Sequence, residues 1–407
     1  MSPKRVCLKA FVLPLEKVRV VEFSHMVMGP SCGLALADLG AEVIKIEPPE
    51  GDNTRRLQAA GVGFFPVFNR NKKSLAVDLK RAEGSEIVHR LIDSADVVTE
   101  NFRPCALDKL GFGYEALSKR NPRLVYCSLK GFLDGPYQHR PALDEVVQMM
   151  GGLAYMTGLP DRPLRAGSSV VDIMGGTFGA LGVVAALRER DATGRGKLVT
   201  SALFESTAYL VAQHMAQFEL TGEAPPPMSV KRPAWGIYDI FETADAGAED
   251  ARLFVGVVTD TQWEIFCREF GLPELAADPR LSSNAARVKE RQWLLPRLAE
   301  ALKRFTKADL AAKLEAIGLP FAPIAKPWDL LDDPHLKASG GLLDTQIPGG
   351  KRFHAPTLPL ALDGQRLPKR TDPPAIGQGA RAILGGLGYG EGEIDALSRA
   401  RVIALPA

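Results

Sequence analysis

Residues 18–47 read VRVVEFSHMVMGPSCGLALADLGAEVIKIE, and this stretch decides the fold. Val18–Phe23 is a β-rich apolar run, and Ser24–Pro30 is a loop. Ser31–Leu39 has apolar residues at helical spacing and ends at Gly40, a residue suited to the left-handed position that follows a helix. Ala41–Glu47 is strand-like again, until Pro48 and Gly51 stop it. Strand, helix and strand joined by such short links make a compact βαβ unit with parallel strands.

The same alternation continues outward from that unit. Ser74–Leu79 reads as a strand, Ser85–Ala95 as an amphipathic helix and Asp96–Glu100 as a strand. Tyr114–Arg120 reads as a short helix and Leu124–Leu129 as another strand. Repeated β-α-β calls for an α/β fold, a parallel sheet wound with helices, whose ligands sit at the carboxyl ends of the strands. Residues 142–190 look mostly helical, with a turn at Gly158–Pro163, and Val199–Gly222 holds one long apolar helix. The predicted organisation is an N-terminal extension over 1–17, a large domain over 18–222 and a linker with a small α+β domain over 223–325. A return segment, 326–407, completes the large domain. Glu223–Pro233 is the proline-rich linker, Ala322–Pro323 and Lys326–Pro327 mark the way back, and a last helix lies near Glu391–Ala400.

Composition excludes several functions. Lys and Arg number 50 against 48 Asp and Glu, a net charge of +2, so the basic excess of a nucleic-acid binder is missing. The five cysteines, Cys7, Cys32, Cys105, Cys127 and Cys267, are odd in number and form no CxxC pair. Neither a disulfide framework nor a thiolate zinc site is expected, and a reducing, cytoplasmic setting fits. The N-terminal run is interrupted by Lys9 and Pro14, so it reads as a disordered extension and not as a signal peptide. No apolar stretch reads as approaching the ~20 residues that span a bilayer, so no membrane partner is expected. The six histidines show no HxxxH or HExxH spacing, and no metal is expected.

Three constellations can carry chemistry. Ser24–Pro30 joins a strand to a helix N-terminus, where free backbone N–H groups can bind phosphate or an acyl oxygen; a tight structural turn is the plainer alternative. Asn101, Phe102 and Arg103 stand where a later strand ends and offer hydrogen bonds and a stacking ring for a nucleotide, or simply an ordinary strand exit. Asp172 precedes Gly175, Gly176, Gly179 and Gly182, small residues that let a helix approach another backbone. Asp172 reads either as a helix N-cap or as a carboxylate nucleophile at a positive helix end, and Asp144 and Glu145 either join it or are solvated.

These pieces, in this order, resemble the class III CoA-transferase family, the group of formyl-CoA and carnitine CoA-transferases, with 2-methylacyl-CoA racemase as a relative. The matching runs include the opening βαβ stretch, NRNKKSLAVDLK (69–80), VVTENFRPCALDKLGFGYEAL (97–117), SSVVDIMGG (168–176), DPRLSSNAARV (278–288) and GLPFAPI (318–324). The resemblance implies a Rossmann-like large domain, a small domain and an interlocked homodimer. It implies that Asp172 attacks an acyl-CoA, giving an anhydride and then an aspartyl-CoA thioester. It sets His25, Met26, Val27, Asn101, Phe102 and Lys109 beside coenzyme A, which is a substrate, with no tightly bound cofactor. Val27 and Leu143 stand where formyl-CoA transferase has glutamine and tyrosine, which argues against formyl-CoA and oxalate. Leu143 also replaces the histidine base of the racemase branch, which argues against an epimerase; His139, a few residues upstream, gives no reason to substitute for it. The expected reaction moves CoA between a short-chain, dicarboxylic acyl-CoA and a free acid. The alternatives are a 2-methylacyl-CoA epimerase and a catalytically silent CoA-binding protein. Arg165, Arg140 and Arg232 are candidates for holding a distal carboxylate.

Overall fold

The computed structural model describes residues 12–230, 234–245 and 251–406. The opening unit has the expected strand-helix-strand order, β1 (Arg19–Phe23), α1 (Met28–Asp38) and β2 (Glu42–Glu47). Helix α1 begins at Met28, three residues inside the stretch expected as loop, because Pro30 sits in the first turn of the helix, where its missing N–H costs nothing. A short helix α2 (Phe64–Phe68) leads to β3 (Lys72–Val77), α3 (Ala82–Asp93) and β4 (Val97–Glu100). Then come α4 (Tyr114–Arg120), β5 (Val125–Lys130), α5 (Asp144–Met150), α6 (Leu153–Thr157), α7 (Val170–Thr193), β6 (Leu198–Ala202) and α8 (Leu203–Thr221). Strand β6 departs from the single long helix expected over Val199–Gly222, because LVTSA runs straight into the apolar pattern of α8 and reads as its first turn.

The strands β3-β2-β1-β4-β5-β6 pair in parallel in that order. The order reverses between β1 and β4, which makes a crevice at the carboxyl ends of those two strands. The period-two alternation sorts side chains to two cores: Val21 and Phe23 face one, with Ile87 and Leu91 of α3, while Val20 faces the other, with Leu36 of α1 and Val183 of α7. Burial on both faces is why these strands read as continuous apolar runs.

The described residues divide into two compact units, one running to Ser229 and resuming at His335, the other Val230–Pro334. The second unit carries a three-stranded antiparallel sheet, β7 (Ile237–Glu242), β8 (Arg252–Val257) and β9 (Phe321–Pro323), around its own core. Two expected boundaries move. The stretch Glu223–Ser229 is stitched to the first unit, where Met228 N donates to Met156 O at 2.9 Å and Ser229 Oγ to Gly158 O at 2.6 Å. Ala322–Pro323 is no exit from the small unit but part of β9, an edge strand where proline is tolerated.

The return segment forms two hairpins, β10 (Leu342–Gln346) with β11 (Arg352–Pro356) and β12 (Ala361–Leu362) with β13 (Gln365–Arg366). Helices at Ala380–Gly386 and Glu391–Arg399 follow, and β14 (Ile403–Ala404) pairs antiparallel with β3 and closes that edge of the large sheet. The extension expected over 1–17 is shorter at its inner end: Leu13 and Leu15 are buried, and Leu15 N donates to Leu39 O at 2.9 Å. Cys7, Lys231, Arg232 and Pro233 lie outside the described residues. The reading that no stretch approaches bilayer length is also corrected: α7, 24 residues, is long and apolar enough by length and composition. Its apolar side packs on α1 and on β5 and β6, as a central helix does.

Candidate active site

The site grows from the turn Ser24–Val27, which is braced by charge buried beneath it. Glu22, Lys45 and Lys72 are buried, and each is paired, as an ion in an apolar interior must be. Lys72 Nζ lies 2.9 and 3.0 Å from the Glu22 carboxylate and also donates to Pro30 O at 2.9 Å. Burial outweighs that partner and brings the Lys72 ammonium down to about 8. Lys45 Nζ donates to Ser24 O at 2.5 Å and pairs with Asp52 Oδ2 at 3.0 Å. Asp52 Oδ1 in turn accepts from Thr54 N and Oγ1, both at 2.8 Å, and Thr54 Oγ1 accepts from Met26 N at 3.0 Å. Met26 is held at φ 62°, a left-handed conformation rare outside glycine, so it stays there only because its surroundings dictate it.

Asn101, at the end of β4, locks the turn from the other side. Its Oδ1 accepts from His25 N at 3.0 Å and its Nδ2 donates to His25 O at 2.9 Å. Gly29 is what lets this side chain in: a Cβ there would fall 2.6 Å from Ser24 Cβ and 2.7 Å from Asn101 Cγ. The His25 ring stacks on Phe102, with centroids 5.3 Å apart and planes at 23°. Burial holds the His25 imidazole below its ordinary pKa, so the ring favours its neutral form, and its buried Nδ1 has no hydrogen-bond partner.

The second half of the site is the start of α7. Gly176 allows α7 to lie against α1; a Cβ there would meet Ser31 Oγ at 2.0 Å and Met28 O at 2.6 Å. This contact brings the first turn of α7, with Asp172, to the crevice. Asp172 is not the cap of its helix. The cap position is Ser169, whose side chain makes no capping bond, and Asp172 lies three residues further on. The free N–H groups of Val171 and Asp172 instead donate to Asp144 Oδ2, at 2.9 and 3.1 Å. The Asp172 carboxyl is half-buried and pushed up to about 7, by burial first and then by the negative charge of Asp144, with Arg165 opposing.

Asp172 shares a cavity of about 600 Å³ with His25, Met26, Asn101 and Phe102. Arg103, Lys130, His139, Arg140, Leu143 and Asp144 line it too, so basic side chains and an apolar wall surround two carboxyls, Asp144 and Asp172. The structure therefore brings together five of the seven site residues named from sequence. Val27 is buried at 1% exposure and Lys109 is exposed on the turn Asp108–Leu110, and both fall outside the lining. Arg140 lines the cavity with its guanidinium over the Tyr137 ring, whereas Arg165 lies 3.9 Å from Asp144 and 3.7 Å from Glu145, outside the lining. Sequence reasoning left Asp144 undecided; nothing local shows that an acid 28 residues upstream caps the helix of Asp172. Among the described residues no group of His, Cys, Asp and Glu is arranged to hold a metal ion.

The family model described as CoA-transferase family III matches residues 15–380. This chain belongs to CoA-transferase family III. It is 34% identical over 398 residues to the succinyl-CoA–D-citramalate CoA-transferase of Chloroflexus aurantiacus, covering 96% of this chain and 98% of that one. It is 32% identical to the succinate–glutarate CoA-transferase of Agrobacterium fabrum, with coverage of 91% and 95%. Among solved structures it matches a CAIB/BAIF family protein from Brucella suis with a TM-score of 0.80 and 35% identity, over 92% of this chain and 99% of that one. As a member of this family the protein is an enzyme, and CoA thioesters are its substrates.

Proposed function

We propose that this family III enzyme moves CoA between a short-chain dicarboxylic acyl-CoA and a free carboxylic acid, with Asp172 as covalent carrier. The observation that carries the reading is Asp172 itself, a half-buried carboxyl that opens into the cavity and has been made more basic than an ordinary aspartate. The Asp172 carboxylate attacks the thioester carbonyl, expelling the CoA thiolate and leaving a mixed anhydride. The thiolate attacks the aspartyl carbonyl, releases the donor acid and leaves an aspartyl-CoA thioester. The acceptor carboxylate repeats the two exchanges in reverse order, and Asp172 is regenerated. Splitting the transfer this way replaces one difficult step by exchanges between activated acyl groups.

Dicarboxylate specificity is supported by the relatives' substrates and by Arg140 on the cavity wall, whose fork suits a distal carboxylate. His25, Met26, Asn101 and Phe102 bind coenzyme A in this reading. Val27 supports the turn from below, and Lys109 reaches the outer part of the ligand. We take the enzyme to be a cytoplasmic homodimer with a Rossmann-like large domain and interlocked chains. The four described cysteines are free, in keeping with a reducing compartment. Leu181 of α7 and Tyr209, Phe218 and Leu220 of α8 are 51–86% exposed, an apolar surface suited to a second copy.

The test is to incubate the protein with succinyl-CoA without acceptor, quench with hydroxylamine and map the product by mass spectrometry. Hydroxamate on Asp172, absent in Asp172→Ala, is the expected result. Deuterium exchange at Cα of a 2-methylacyl-CoA without labelling would point instead to the epimerase, and CoA binding with neither would point to a silent binding protein.

A further inference from the structure

We propose that Asp144 is a positioning residue for the reacting carboxyl: it takes the two N–H groups that open α7 and sets its own negative charge beside Asp172, shielding Asp172 from the positive end of its own helix. The inference rests on the reading of Asp172 as nucleophile and adds to it a reason why that carboxylate is reactive.

A helix N-terminus stabilises an anion placed on it. A carboxylate in the first turn of a 24-residue helix would ordinarily be held as a weakly basic, weakly nucleophilic ion. Here the free N–H groups are already occupied, because Asp144 Oδ2 accepts from both Val171 and Asp172. The orientation of Asp144 is itself fixed. Its Oδ1 accepts from Gln148 Nε2 at 2.6 Å, and Gln148 Oε1 accepts from Ala166 N at 2.8 Å, so that amide cannot be reversed. Asp144 is 8% exposed and Gln148 0%, whereas Glu145, the next residue along, is 58% exposed at its side chain and turns outward.

The charged groups around Asp172 are mixed. On the acidic side stand Asp144 and, further out, Glu145 of α5. Opposing them is Arg165, in the segment before α7, and it is partly spent on those same two acids at 3.9 and 3.7 Å. Around the cavity lie His25 from the first turn, Arg103 after β4, Lys130 at the end of β5, and His139 and Arg140 before α5. Despite the cations Arg103, Lys130, Arg140 and Arg165, the Asp172 carboxyl sits at about 7, with burial and Asp144 as the causes that raise it.

The experiment compares the wild type with Asp144→Asn, which keeps an acceptor for the helix but loses the charge, and with Asp144→Glu, which keeps the charge. If the Asn variant does not fold, Asp144→Ser supplies a smaller neutral cap. Two readouts are taken. Infrared difference spectra against matched Asp172→Asn proteins titrate the Asp172 carboxyl without turnover, and the rate of CoA transfer from succinyl-CoA to glutarate is followed against pH. The neutral variants are expected to lower the Asp172 titration by about one pH unit or more and the Glu variant to leave it nearly in place. The rate profile should move with it, so that at acid pH a neutral variant keeps ~10-fold more of its own plateau rate than the wild type does. An Asp172 titration that stays put in folded neutral variants overturns the proposal. If the titration moves but the wild-type rate ignores it, the positioning role stands and the nucleophile reading falls.

Discussion

Replacing Asp172 by Asn should make the protein more stable while abolishing transfer, and the gain should depend on pH in a way that only a raised carboxyl pKa produces. The carboxyl moves from an ordinary 3.8 to about 7 on folding. At 1.36 kcal/mol per pKa unit that corresponds to ~4 kcal/mol of destabilisation when the group is fully ionised. Asp172 opens into a cavity, so water relieves part of this, and ~2 kcal/mol is the expected size. A group whose folded pKa is raised contributes its full stability below the unfolded value and loses it as pH climbs through the folded value. The wild type should therefore match the Asn variant most closely near pH 4, fall behind it progressively from pH 4 to 7, and trail by a constant margin above pH 8. Urea unfolding of the two proteins at several pH values, with the first unit followed by far-ultraviolet dichroism, measures this difference. A gap between the two that does not change with pH, or a variant that becomes relatively weaker as pH rises, would refute the argument that burial and Asp144 make Asp172 basic.

Two further outcomes follow from the braced turn. Asn101→Ala removes both bonds to the His25 backbone, which are worth ~1 kcal/mol each, and should raise KM for the CoA donor by roughly 10-fold while changing kcat less. Steady-state kinetics with varied succinyl-CoA decides this, and an unchanged KM would separate the turn from CoA binding. Lys45→Met leaves Asp52 and Glu22 short of a buried partner, so it should destabilise the protein by about 3–5 kcal/mol, read as a lower urea midpoint. A midpoint equal to the wild type's would mean that Lys45 is not essential to this ion cluster.

The first βαβ unit, α3, α4 and the strands that follow were legible because each is written in a local pattern: alternating or continuous apolar runs for strands, spaced apolar positions for helices, and a positive-φ glycine, Gly40, at a helix end. Strand β6 was not legible, because Leu198–Ala202 has no break separating it from α8 and becomes a strand only by lying beside β5. The two-residue β14 is below any periodicity and exists only as a partner of β3. The inner part of the N-terminal extension carries no local signal for the same reason, since Leu13 and Leu15 are buried only where the end of α1 comes to meet them.

By its own order of motifs the sequence determined that this is a family III CoA-transferase with an acid at the head of a glycine-rich helix. Those properties reside in residue identities at short spacing, which a linear reading can see. The tertiary structure alone decided what that acid is. Only folding brings α5 against the start of α7, where Asp144 occupies the N–H groups that Asp172 would otherwise share. Only the approach of α7 to α1 through Gly176 brings the carboxyl to the turn held by Asn101 and Lys45. Burial, and the charge of a residue 28 positions away, then set how readily Asp172 gives up its proton. Those fields act through space and not along the chain.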